Sequence, residues 1–191
     1  MEAKVKLAGH PVHPMLIVFP LGLLATAVIF DIIYLITNNS QWTLAAYYMI
    51  GAGIIGGLAA ALFGWIDWFA IPGGTRAKRI GLWHGGGNVV VLALFILSWI
   101  LRRPTPDVPP TGSIVAGLGG FVLAAITGWL GGELVDRLGV GVDEGSHLNA
   151  PSSLSRLPAS SGNGTPGGYG GRERRGHTAV YAGSDRRASS A

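Results

Sequence analysis

Five histidines and ten carboxylates carry most of the acid–base, metal and haem chemistry open to this 191-residue chain, which has no cysteine. Two of the histidines lie three apart in Gly9-His10-Pro11-Val12-His13-Pro14-Met15, each directly before a proline. A residue before proline is pushed away from helical dihedrals, whereas proline itself suits the first position of a helix. The segment is therefore expected to be a stiff, extended entry, with His13 flanking a helix that starts at Pro14. A third histidine stands in Trp83-His84-Gly85-Gly86-Gly87-Asn88. Its glycines leave one side of a helix bare beside the imidazole, and Asn88, one turn on, can hydrogen-bond the ring or a ligand. Imidazoles on facing helices hold haem iron, and with carboxylates beside them they bind divalent metal. His13 and His84 are thus candidate axial ligands for haem b, with His10 as the alternate and Asn88 as a further cofactor contact. In the alternative, a divalent metal site, Asp67 and Glu133 join His13 and His84. The same residue types also serve as ordinary hydrogen-bonding groups at helix ends, and the sequence leaves that alternative open. No residue is assigned a catalytic role.

Four long apolar runs must position these groups, at about residues 15–36, 44–66, 89–101 with its flanks, and 114–130. Crossing ~30 Å of hydrocarbon takes about 20 residues of helix, and in lipid every backbone polar group must be paired within its own segment. The composition agrees: 49% of residues are hydrophobic and 13% charged, about half the charged fraction of a typical soluble domain. The expected fold is an all-α membrane protein, a four-transmembrane-helix bundle with a disordered C-terminal tail. Its parts are a polar lead (residues 1–14), the transmembrane domain (15–142) and a cytoplasmic tail rich in Ser, Gly and Arg (143–191). Such a tail cannot bury enough apolar surface to offset its ordering entropy. The first run is too long for a signal-peptide core, and no small-residue cleavage motif follows it, so it is read as a retained span.

Lys4 and Lys6 precede span one, and Arg76, Lys78 and Arg79 fall between spans two and three; the loop between spans one and two has no basic residue. The positive-inside rule then puts both termini in the cytoplasm of a multi-pass protein of the cell inner (plasma) membrane. Arg102 and Arg103 run against that pattern and are expected to snorkel from the end of span three. With this topology His10, His13, Asp67, His84, Glu133 and Asp136 all gather at the cytoplasmic end. Asp31 lies apart, in the outer third of span one, at a depth expected to reach water; its sequence context names no partner. Trp65, Trp68, Trp83 and Trp129 would mark one interface, and Tyr34, Trp42, Tyr47, Tyr48 and Trp99 the other.

Span four carries a small residue at every fourth position, Gly112, Ala116, Gly120, Ala124, Gly128 and Gly132, and span two a shorter set, Gly53, Gly57 and Ala61. These are expected to line helix–helix contacts, since close backbone approach is what holds helices together in lipid.

Three stretches, taken in order, are similar to one family: residues 9–15 followed by Phe19-Pro20-Leu21-Gly22, then Gly64-Trp65-Ile66-Asp67-Trp68, then residues 131–142. Over roughly residues 8–144 the chain resembles the bacterial membrane family catalogued as domain of unknown function 2231. The resemblance implies a four-helix fold and no particular reaction. Some relatives occur alongside Rieske-type iron–sulfur domains, which implies a redox setting; this chain, without cysteine, holds no such cluster through thiolates.

Two functional readings follow. One is a haem- or metal-binding, redox-associated membrane protein, with a membrane redox complex or other membrane proteins as partners besides the lipid bilayer. The other is a structural or accessory subunit of a larger complex, with no chemistry of its own. A homo-oligomer is compatible with either. A transporter or proton path finds less support, because spans one and two do not resemble spans three and four and no inverted repeat is visible. Phosphate-loop, serine-elbow and dinucleotide fingerprints are absent, and no specific nucleic-acid signature is present.

Overall fold

The four apolar runs fold as four helical spans, Val12–Thr37, Ser40–Ala70, Arg76–Arg102 and Thr111–Arg137, each long and apolar enough to cross a bilayer. The structure is a computed structural model and describes residues 1–162; the part of the expected tail beyond residue 162 lies outside the described residues. Apolar side chains such as Ile36, Ile55, Phe69 and Val122 stand exposed on the outside of the bundle, as lipid-facing residues do.

Span one is built from α1 (Val12–Leu16) and α2 (Val18–Thr37), span two is α3 (Ser40–Ala70), span three α4 (Arg76–Arg102), and span four α5 (Thr111–Gly132) extended by a π-helical turn at Glu133–Arg137. Each junction has a local cause. Asn38 takes the left-handed conformation (φ 52°) that ends α2, and Asn39 caps α3 by accepting from the Gln41 amide at 3.0 Å. Thr75 caps α4 by accepting from the Lys78 amide at 3.1 Å. Span one breaks at Ile17, three residues before Pro20. Proline offers no amide to the carbonyl four residues back, so the expected bend appears on its N-terminal side.

The packing forms two antiparallel hairpins, α2 along α3 and α4 along α5, which meet chiefly through α3 and α4. The core holds Leu24, Ala27, Val28, Ala46, Ile50, Val91 and Phe95. Glycines admit the close approaches. A Cβ at Gly53 would lie 2.6 Å from Leu24 Cδ2, and one at Gly57 2.6 Å from Leu92 Cδ2. The expected groove along span four is interrupted. Gly120 receives Phe95, and Ala116 is buried, but Gly112, Gly128 and Gly132 have open space where a side chain would be. A strict four-residue repeat advances about 40° around the helix at each step, so six such positions cannot all face one neighbour.

The N-terminal lead is more ordered than a plain extended entry. Lys6–Leu7 and His10–Pro11 pair antiparallel, with Ala8 and Gly9 at positive φ (50° and 82°) in the turn. The helix then begins at Val12, so His13 lies inside α1 rather than before it. The lead is tied across the end of the bundle: the Lys4 amide donates to Asp67 Oδ1 at 2.6 Å, the Gly141 amide donates to the Met1 carbonyl at 2.8 Å, and Lys6 Nζ bonds Glu2 at 2.8 Å and also Asp143. Bonded to those two carboxylates, first Asp143 and then Glu2, the Lys6 ammonium is held above its ordinary value of 10.5.

Residues 1–143 form one compact unit, and the described residues from Glu144 to 162 belong to a second. In the second, residues 144–162 are a run of turns with a short 3-10 turn at Ser153–Ser155; the His147 ring donates through Nε2 to the Ser161 carbonyl at 3.2 Å.

Candidate functional site

His13 enters the bundle on the first turn of span one, and His84 on the third turn of α4. Their ring centres lie 6.3 Å apart, with the ring planes at 88°. The Nδ1 of His13 is 2.8 Å from the Ala60 carbonyl, and the Nδ1 of His84 is 2.8 Å from the Thr127 carbonyl. A carbonyl only accepts, so in both rings Nδ1 carries the proton and donates. In the neutral imidazole that leaves Nε2 with its lone pair, the form in which histidine binds a metal. A backbone acceptor on the second nitrogen is the usual way such a ligand is oriented.

Each ring is seated on a glycine one turn beyond its carbonyl partner. A Cβ at Gly64 would stand 2.9 Å from His13 Cε1, and one at Gly131 3.0 Å from His84 Cε1. Asn88 completes the surroundings of His84. Its Nδ2 donates to the His84 carbonyl at 2.9 Å and lies 3.4 Å from His84 Nε2, while its Oδ1 accepts from the Thr127 hydroxyl at 3.0 Å. Thr127 thus orients the ring through its carbonyl and the amide through its hydroxyl. Gly86 has open space beside the ring-bearing turn of α4.

The structure brings His13, His84 and Asn88 together. The other residues singled out in the sequence lie at the same end of the bundle but in other company. His10 is exposed in the N-terminal hairpin. Asp67 receives the Lys4 amide, and Glu133 receives Arg76 Nη2 at 2.6 Å. Among the described residues no three histidine or carboxylate groups come close enough to share a metal ion. The supporting Ala60, Gly64, Thr127 and Gly131 were not legible as site residues. The one available signal was Thr127, a polar side chain near the end of an apolar span.

The opposite end of the bundle holds a second polar centre. Arg102 does not snorkel. It is wholly buried and grips Asp31 with both terminal nitrogens, Nη1 to Oδ1 and Nη2 to Oδ2, each at 2.6 Å. Asp31 is likewise shielded from solvent, at 1% exposure. Arg102 Nη1 also lies 3.4 Å from the Thr43 hydroxyl, and Nε donates to Ser98 Oγ at 3.3 Å, which in turn donates to the Ser113 carbonyl at 2.7 Å. All four spans therefore contribute to this centre. A planar guanidinium matches a carboxylate in this two-point fashion, and the hydroxyls take up its remaining donors.

Residues 9–144 match the model of a family described as "Predicted membrane protein (DUF2231)". No curated protein and no solved structure matches the chain.

Proposed function

Since the chain belongs to the DUF2231 family of predicted membrane proteins, whose description names no reaction, we propose from its own geometry that His13 and His84 are the paired ligands of a redox-active metal centre, haem b in the first instance. The observation that carries this reading is the spacing of two imidazoles whose Nδ1 protons are already committed to backbone carbonyls. Two imidazoles that would share one ion, with metal–nitrogen bonds of about 2.1 Å, can have ring centres no more than roughly 6.5 Å apart; here the distance is 6.3 Å. Haem suits a pair better than a bare divalent ion does, because it brings four nitrogens of its own. A bare ion would need Asp67 or Glu133, and both have other partners.

A bound haem would supply one-electron chemistry at iron. The work of this chain is to hold the ligands. The Ala60 and Thr127 carbonyls fix the tautomers and the orientation of the two rings. Gly64 and Gly131 let the rings lie close against neighbouring helices, and Asn88 offers an amide N–H beside His84. We propose further that the bilayer is the cell inner membrane, with both ends of the four-span unit on the cytoplasmic side. Lys4, Lys6, Arg76, Lys78 and Arg79 support that placement, and with Arg102 neutralised by Asp31, Arg103 is left as the basic residue at the other end.

The test is the absorption spectrum of the full chain purified in mild detergent, before and after addition of one equivalent of hemin. A Soret band that is lost in the His13→Ala, His84→Ala double variant is the expected result. A folded, colourless protein that takes up no hemin would overturn the proposal and favour an accessory subunit without chemistry of its own.

A further inference from the structure

The histidine pair and the Asp31–Arg102 pair are related in a way their chemistry does not require. His13 and His84 stand 71 residues apart in the chain, and so do Asp31 and Arg102. Both pairs join span one to span three. Within each span the two members are 18 residues apart, about five helical turns, so they share a face. The same offset carries other buried positions of span one onto span three: Leu24 onto Phe95 and Ala27 onto Ser98. Spans two and four follow suit at an offset of 70, which carries the buried Thr43, Ala46, Ile50 and Gly57 onto the buried Ser113, Ala116, Gly120 and Thr127. The histidine seats repeat in kind but three residues out of that register, since Ala60 and Gly64 precede Thr127 and Gly131 by 67 positions. Each imidazole donates to a carbonyl on the second helix of its own hairpin and rests on the glycine four residues later.

We propose that the four spans are two copies of one helical hairpin related by a pseudo-twofold axis along the bundle, that both polar pairs lie across this axis, and that the Asp31–Arg102 clamp is a positioning pair that fixes the separation of His13 and His84. Hydrophobic side chains are interchangeable in lipid, so the repeat survives in burial and spacing rather than in residue identity. An axis along the membrane normal is the arrangement of parallel repeats, in which a ligand site falls at the repeat interface. Asp and Arg mark where the two copies have diverged. Equal charges at equivalent positions would repel each other across the axis in a low-dielectric interior, whereas opposite charges hold the halves together. With spans one and three pinned there, rotation or sliding of either is resisted about 27 Å from the histidines. The proposed haem reading rests on the spacing so fixed; the duplication and the clamp do not depend on that reading.

The chain has no cysteine, so labels can be placed without background. Val18 and Val89, equivalent at the 71-residue offset and both exposed, are replaced by cysteine in the full chain, and spin labels there are measured by pulsed electron resonance in bilayers. The unaltered pair should give one narrow distance distribution, and Asp31→Asn should broaden it severalfold. The exchange variant Asp31→Arg, Arg102→Asp should restore the narrow distribution, because the two sides of the axis are equivalent. A distribution unchanged in Asp31→Asn, or an exchange variant no narrower than the single one, would overturn the proposal. If Asp31→Asn does not insert, Asp31→Asn with Arg102→Gln replaces it under the same expectations. Failure to bind hemin would leave these distances unaffected and count against the ligand reading alone.

Discussion

The glycines beside the two imidazoles give the sharpest contrast at the scale of single residues. A methyl group at Gly64 or Gly131 would fall about 3 Å from a histidine ring carbon, inside van der Waals contact. Gly64→Ala and Gly131→Ala should each cost about 1–3 kcal/mol through overpacking and displace the ring from its carbonyl. Gly128→Ala, in open space on the same helix, should be neutral or stabilise by up to ~1 kcal/mol through helix propensity. Thermal unfolding in detergent, with histidine nitrogen shifts to report the tautomers, distinguishes these outcomes. Equal effects at positions 128 and 131 would remove the seats from the account. His13, His84 and Asn88 were legible from residue type and expected depth. Arg102 and Asp31 were not: a basic residue at a span end looks the same whether it reaches for water or for a partner 71 positions away. A local window on sequence contains no information about which helix will stand opposite.

At the scale of elements, the four helices and the break in span one follow from apolar length and from Pro20. The N-terminal hairpin does not, because two-residue strands leave almost no periodic signal. That hairpin is tied across the bundle end partly through charge, which gives it a pH and sequence dependence. Bonding to Asp143 and Glu2 raises the Lys6 pKa. The contribution of this contact is therefore complete below pH 10.5 and is lost as pH rises through the raised value. Lys6→Met should loosen the lead at neutral pH while leaving the spans intact. Hydrogen exchange of the amides of residues 4–12 should rise in that variant, with residues 40–70 unchanged. Unaltered protection of the lead would show that its backbone bonds alone suffice.

At the scale of the whole molecule, the small-residue positions show how far sequence pattern reaches. Gly53, Gly57 and Gly120 do admit close neighbours, while Gly112, Gly128 and Gly132 turn away; the pattern identified the packing helices but not the face. The internal repeat stayed hidden for a related reason, since lipid imposes similar composition on every span. The orientation is checked by single cysteines introduced at Gly74 and at Asp107, in loops at opposite ends of the bundle. In intact cells an impermeant maleimide should label position 107 and spare position 74, and the reverse pattern would invert the proposed topology.

The central claim is that His13 and His84 act together on one ion, each through Nε2. It is tested most directly by the electron spin resonance spectrum of the full chain loaded with one equivalent of hemin. The account predicts a low-spin ferric signal from two axial imidazoles, converted to high spin in His13→Ala and equally in His84→Ala. A high-spin signal in the unaltered protein, or a low-spin signal that survives either substitution, would contradict it.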